Sequence, residues 1–145
     1  MYQHILLPTD GSDLSLRAVD MGIALAAKFG AKVHGLHVIP AYPSVAYMTE
    51  VVMISESAYD EQSAERAERY LADVAERAKK AGVPCETEYT FDDHPGKVII
   101  ETARTHGCDL IVMGSHGRRG FDRLLLGSET QRVLVGCDIP VLVCR

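Results

Sequence analysis

No apolar run in the 145-residue sequence approaches the ~20 residues that a helical membrane span needs, so no membrane segment is expected. The residues ahead of Asp10 carry no signal-peptide pattern, which leaves the cytoplasm as the expected location. Basic residues are outnumbered, 15 Lys and Arg against 20 Asp and Glu, for a net charge of −5. A broad nucleic-acid binder needs a basic footprint, so this charge argues against that class. Cysteine is unpatterned: Cys85, Cys108, Cys137 and Cys144 make no C-x-x-C and no zinc-like cluster. Reduced thiols are expected. There is no G-x-S-x-G and no G-x-x-x-x-G-K-[ST], so neither a serine nucleophile elbow nor a P-loop is at hand. The histidines promise no metal site either. His34 and His37 lie three apart in an expected strand and point to opposite faces. His4, His94 and His106 read as strand-start, turn and helix-end residues. Internal repeats, linkers and low-complexity tracts are also missing.

What remains is an ordinary globular composition, 47% hydrophobic and 24% charged. Its length suits one domain over residues 1–145, since domains run to ~100–200 residues. The chain alternates between two periods. Ile5-Leu6-Leu7 is a consecutive apolar run, as in a parallel strand buried on both faces. Thr9-Asp10-Gly11-Ser12 breaks it, with Ser12 placed to cap a helix. Ala18, Gly22, Leu25 and Phe29, with Val19, Ile23 and Ala26, then follow helical spacing until Gly30 stops it. A second strand is expected over 31–39, a long amphipathic helix over 55–81 and a third strand over 84–91. Asp73–Arg77 and Glu76–Lys80 are acid-before-base pairs on that long helix. Asp92-Asp93-His94-Pro95 is a turn with Pro95 near the first position of a third helix, which ends at Gly107. Leu110 to Met113 is the fourth strand, and Val141 to Cys144 the last. Residues 40–54, with prolines and tyrosines, fit a lid, a loop or part of a helix. The alternation βαβαβαβαβ implies an α/β fold with a parallel sheet and helices on both faces.

The chemistry concentrates in Met113-Gly114-Ser115-His116-Gly117 through Gly127-Ser128-Glu129-Thr130. Its glycines fall as G-x2-G-x9-G, with a serine after the last. Glycine permits a positive φ and the close approach of another group. A helix start presents unpaired N–H donors and partial positive charge. Strand, glycine loop and helix start together describe a phosphate cradle. Ser128-x-x-Gln131 also reads as a capping box, which needs no ligand. Arg118, Arg119 and Arg123, in the spacer, either neutralise phosphate or are solvated. His116 sits where it would flank phosphate.

The stretch resembles the nucleotide-binding signature of the universal stress proteins, G-x2-G-x9-G-[ST], at Gly114, Gly117, Gly127 and Ser128. Ile5-Leu6-Leu7-Pro8-Thr9-Asp10, Leu36-His37-Val38 and Ile139-Pro140-Val141-Leu142-Val143 are similar to that family's first, second and closing strands. The resemblance implies a Rossmann-like, adenine nucleotide alpha hydrolase-like fold: an open five-stranded parallel sheet in the order 3-2-1-4-5. That order brings the loop of Pro8, Thr9 and Asp10 to the glycine loop at the switch point where ligands bind. It further implies ATP, with Mg2+ or Mn2+ bound through the phosphates. Asp10 would meet the ribose or the metal–phosphate region, Val38 would offer backbone groups to adenine, and Met113 would line the pocket. Simple packing, or an Asx turn at Asp10, accounts for the same residues without a ligand. Phosphate would lie among Gly114, Ser115, His116, Gly117, Arg118, Gly127, Ser128, Glu129 and Thr130. Glu129 departs from the pattern, because a carboxylate beside phosphate must point away or engage a metal. Thr9-Asp10-Gly11-Ser12-Asp13 is distantly similar to the S-G-G-x-D-S loop of ATP pyrophosphatases but lacks the paired glycines, against adenylating chemistry.

The expected function is that of an ATP-binding universal stress protein, a nucleotide-responsive cytoplasmic regulator of stress physiology. Slow ATP hydrolysis at the same site and a nucleotide-free dimeric scaffold are the alternatives. At the sheet edge, the C-terminal strand would pair with its counterpart in a homodimer.

Overall fold

The structure, a computed structural model, describes residues 1–43, 54–117 and 125–145. Most of the 40–54 segment and the arginine-bearing spacer, with Arg118, Arg119 and Arg123, fall outside the described residues. The elements are β1 (His4–Pro8), α1 (Asp13–Phe29), β2 (Lys32–Ile39), α2 (Glu56–Lys80), β3 (Cys85–Phe91), α3 (Pro95–Thr105), β4 (Leu110–Gly114), α4 (Ser128–Gly136) and β5 (Val141–Cys144). The strands form one five-stranded sheet in the order β3-β2-β1-β4-β5. All four pairings are parallel.

β1 explains the layering. Ile5, Leu6 and Leu7 are all fully buried. Successive strand side chains point to opposite faces. Ile5 and Leu7 therefore pack with Val19, Ile23 and Val74, from α1 and α2. Leu6 packs with Val98, Ile99 and Val133, from α3 and α4. Each such side chain contributes ~1.5–3 kcal/mol by leaving water. One three-residue run thus anchors both halves of the core.

The helix ends follow the chemistry of their residues. Ser12 caps α1 by accepting the Ser15 N–H, and Gly30 closes that helix at φ +66°. Ser55 caps α2 in the same way, accepting from Ala58 N–H. Arg77 of α2 donates from Nη1 to both Asp20 oxygens at 2.8 Å, and from Nε to Asp73 at 3.0 Å. These charge-assisted bonds tie α1 to α2 and hold the guanidinium pKa above its ordinary value. Among the described residues, no helix is long and apolar enough to cross a membrane.

Candidate functional site

β1 delivers its carboxyl end into a tightly bonded turn. Thr9 N–H donates to Leu36 O at 2.8 Å, so the chain leaves the sheet while still attached to β2. The Thr9 hydroxyl lies 2.9 Å from Ser15 Oγ and accepts Gly11 N–H at 3.1 Å. Asp10 Oδ1 accepts Ser12 N–H at 3.0 Å, an Asx turn. Gly11 has φ +78°, and a Cβ there would collide with the Tyr70 ring. The His37 ring stands edge-on to Tyr70 and puts Nδ1 2.8 Å from Thr9 O. Gly11, His37 and Tyr70 thus shape this loop. Sequence spacing does not single out His37 and Tyr70, because α2 must fold back before Tyr70 reaches the loop.

The glycine loop leaves β4 beside β5, where Ser115 N–H donates to Cys144 O at 2.7 Å. It closes on itself through Gly127 N–H, which donates to Ser115 O at 2.7 Å. The buried Thr130 hydroxyl donates to Gly114 O at 3.0 Å. Ser115 is also buried, with Oγ 3.2 Å from His116 Nδ1. The ends of the spacer are thereby clamped together, and α4 starts directly beneath them. In a helix beginning at Ser128, the N–H groups of Ser128, Glu129 and Thr130 have no intrahelical acceptor.

The two loops meet. A Cβ on Gly117 would lie 2.8 Å from Asp10 Oδ2. One on Gly127 would lie 3.0 Å from His116 Cα, and one on Gly114 3.2 Å from Leu14 Cγ. Positive φ, expected of glycines in such a loop, is not the reason for them. Among the described residues the positive-φ glycines are Gly11, Gly30, Gly82 and Gly107, not Gly114, Gly117 or Gly127. All three motif glycines stand where another group comes close.

One further expectation changes, and an alternative left open at Glu129 is decided. Ser128 does not build a capping box: the N-cap is Gly127, with no side-chain cap bond. Gln131 instead donates its Nε2 to Leu126 O at 2.8 Å. The chain turns into the helix at Gly127, where a Cβ would crowd His116 and Ser115, so Ser128 is already helical. Glu129 points its carboxylate away from the cradle. Its Oε2 accepts Gly96 N–H at 2.6 Å and its Oε1 accepts from Arg132 Nη1 at 3.2 Å. It supplies from outside the cap that His94 fails to give α3.

The remaining positions divide by what they present. Pro8 ends β1 and the Met113 side chain lies in the core. Val38 lies two residues beyond Leu36, whose carbonyl bonds the β1 side, so its own N–H and C=O face that side too. β1 pairs no further than Pro8 with Leu36, so the Val38 backbone faces the space past its end. Cys85, Cys108, Cys137 and Cys144 are free thiols. Burial raises the pKa of Cys144, beside the glycine loop.

With the loops in place, the chain can be compared with known proteins. The model of the Universal stress protein family matches residues 1–145. Universal stress protein MJ0531 of Methanocaldococcus jannaschii is 37% identical over 145 residues, covering all of this chain and 83% of that protein. The solved structure of MJ0577, from the same organism, superposes with a TM-score of 0.83 at 29% identity, covering 99% of this chain and 96% of the other. A universal stress protein crystallised in complex with cAMP gives a TM-score of 0.70 at 28% identity, covering 98% and 95%.

Proposed function

The chain belongs to the universal stress protein family, and from that premise we propose that it is an ATP-binding, nucleotide-responsive regulator of stress physiology acting in the cytoplasm. One observation carries the reading: Gly117 lies so close to Asp10 that a Cβ would come within 2.8 Å of its carboxylate. The loops after β1 and β4 thus converge at the carboxyl ends of neighbouring strands, with the start of α4 beside them. Ligands of open α/β sheets bind in this position. The N–H groups of Ser128, Glu129 and Thr130, with the backbone from Gly114 to Gly117 and at Gly127, suit phosphate. Arg118 adds positive charge from the spacer. Pro8, Thr9 and Asp10 form the facing wall, and the Val38 backbone suits the adenine edge. The Asp10 carboxylate beside a phosphate cradle favours Mg2+ or Mn2+ between them, because phosphate and carboxylate otherwise repel. The cAMP complex of a related protein supports an adenine nucleotide as the class of ligand.

The same carboxylate motivates a second reading, slow ATP hydrolysis, with Asp10 as the loop acid. The regulatory reading is preferred because phosphoryl transfer also needs a positioned water and transition-state charge stabilisation. The sequence of the two loops offers donors and arginines but no evident water-orienting residue. A homodimer through β5 fits the same picture. β5 is an edge strand, Leu142 is exposed on it, and α4 beside it exposes Leu134 and Val135.

The test is mass spectrometry of small molecules released from purified protein, followed by melts of the nucleotide-free chain. ATP should be released. Mg2+-ATP at ~100 times its dissociation constant should stabilise by ~2.7 kcal/mol, a rise of about 5–10 °C. An unshifted melt at saturating Mg2+-ATP overturns the proposal. A larger shift with AMP or cAMP replaces ATP as the ligand.

A further inference from the structure

At the end of the sheet opposite the glycine loop, where the strands begin, four side chains from three elements converge. His34 stands near the start of β2, and Glu86 and Glu88 lie on β3, with His34 in register with Glu86. His106 closes α3. His34 Nε2 lies 2.9 Å from Glu88 Oε1, and His106 Nε2 lies 3.0 Å from that same oxygen. The two rings face each other with centroids 4.1 Å apart.

The other nitrogen of His34 has no hydrogen bond. The residue is 3% exposed, and its Nδ1 is a buried polar atom without a partner. Its nearest ionic neighbour is Glu86 Oε2, at 3.8 Å. An ionised carboxylate only accepts, so the Nε2 atoms bonded to Glu88 carry the hydrogens. In the neutral ring Nδ1 is then a lone pair facing a second carboxylate, two acceptors across a gap. If His34 were protonated, its Nδ1–H would still be too far from Glu86 for a hydrogen bond. An unpartnered ring nitrogen and a carboxylate oxygen facing one gap suit a cation that bonds to both.

We propose that His34, Glu86 and His106, with Glu88 orienting the rings, form a binding site for a divalent cation of the zinc class. One ligand atom from each of His34, Glu86 and His106 lies within 4.8 Å of the other two. Tetrahedral Zn2+, with bonds of ~2.0–2.1 Å, sets its ligands about 3.3 Å apart. The contraction falls on Glu86 and His106, whose side chains are 65% and 32% exposed, while buried His34 stays fixed. Imidazole nitrogen with carboxylate suits zinc better than magnesium or calcium, which prefer all-oxygen sites. A carboxylate accepting the remaining N–H of a ligating histidine is the usual support for such a ring, and Glu88 stands in that position for His34. Glu86 and Glu88 balance the two positive charges. The turn carrying His106 is itself anchored. His4 Nδ1 donates to His106 O at 3.0 Å, and Asp109 accepts the His4 N–H at 3.1 Å. The site does not depend on nucleotide, whose cradle lies at the other end of the strands.

The test is calorimetric titration of the full chain, stripped with chelator and free of nucleotide, with Zn2+ alone. Wild type should bind one Zn2+ per chain. Glu86→Gln and His106→Gln, both on partly exposed side chains, should each weaken binding at least 10-fold and leave the melt in chelator nearly unchanged. Failure of wild type to bind overturns the proposal, as does undiminished binding by both variants, since the metal would then sit elsewhere. A second measurement on wild type keeps the test independent of the variants' folding. Co2+ should give the intense visible bands of a low-coordinate nitrogen–oxygen site, and their absence counts equally against it.

Discussion

Replacing Gly117 separates a nucleotide cradle from a loop that merely turns. Gly117 is exposed and has no positive φ, so alanine meets no backbone strain. Its added Cβ would lie 2.8 Å from Asp10 Oδ2, and among the described residues, chain neighbours aside, only that carboxyl group comes within 4 Å. Two small terms decide stability. A glycine-to-alanine change at a compatible φ stabilises by ~0.4–1 kcal/mol through the unfolded chain. Displacing Asp10 endangers its 3.0 Å bond to Ser12 N–H, worth roughly 1.5–3 kcal/mol with a charged acceptor. If the bond is lost outright the net cost is about 0.5–2.6 kcal/mol, so the ligand-free melt should fall by roughly 2–10 °C with the fold intact. Binding has no such compensation, because the methyl group and the shifted carboxylate both enter the phosphate region. A tenfold weaker dissociation constant cuts the stabilisation at fixed ligand from ~2.7 to ~1.4 kcal/mol, halving the melting rise. Gly117→Asp adds a second carboxylate beside the first and should abolish the rise. The assay is differential scanning fluorimetry on nucleotide-free protein at fixed Mg2+-ATP, with circular dichroism as the check on folding. A full ATP-dependent rise in both variants would refute the cradle.

Turnover of Mg2+-ATP should stay below ~1 s⁻¹, the lower end of ordinary enzyme rates. Asp10→Asn should weaken binding at least as much as turnover, and sustained faster release of phosphate would make the hydrolase reading primary. Light scattering should find a dimer at micromolar concentration, and Val135→Lys with Leu142→Lys should convert it to a folded monomer. A monomeric wild type, or a double variant that stays dimeric, removes the β5 interface. Glu129→Gln should cost about 1 kcal/mol in urea unfolding, the difference between a charged and a neutral acceptor for Gly96 N–H. An unchanged midpoint would mean that Glu129 does not cap α3.

Local chemistry was legible in the residues that act locally. Ser12 and Gly30 bound α1 through their own hydroxyl and left-handed backbone, and neither needs a distant partner. Ile5-Leu6-Leu7 announced a strand covered on both faces, because an uncovered face would have alternated with polar residues. The strand–glycine loop–helix series of the cradle was legible for the same reason: it is continuous in the chain.

What each residue contacts across the fold was decided elsewhere. The order β3-β2-β1-β4-β5 sets Gly117 against Asp10, which names the group whose close approach that glycine allows. Glu129 reaches α3 only because α3 and α4 pack on the same face of the sheet, so no local pattern reveals its bond to Gly96. The histidines read singly as strand, turn and helix-end residues. His34 and His106 share Glu88 only after β3 pairs with β2 and α3 returns beneath the sheet. Periodicity, capping and turn chemistry are properties of neighbours along the chain, and the sequence by itself determined them. Which distant carboxylate meets which glycine, amide or imidazole depends on strand order and helix packing, and only the tertiary structure decided that.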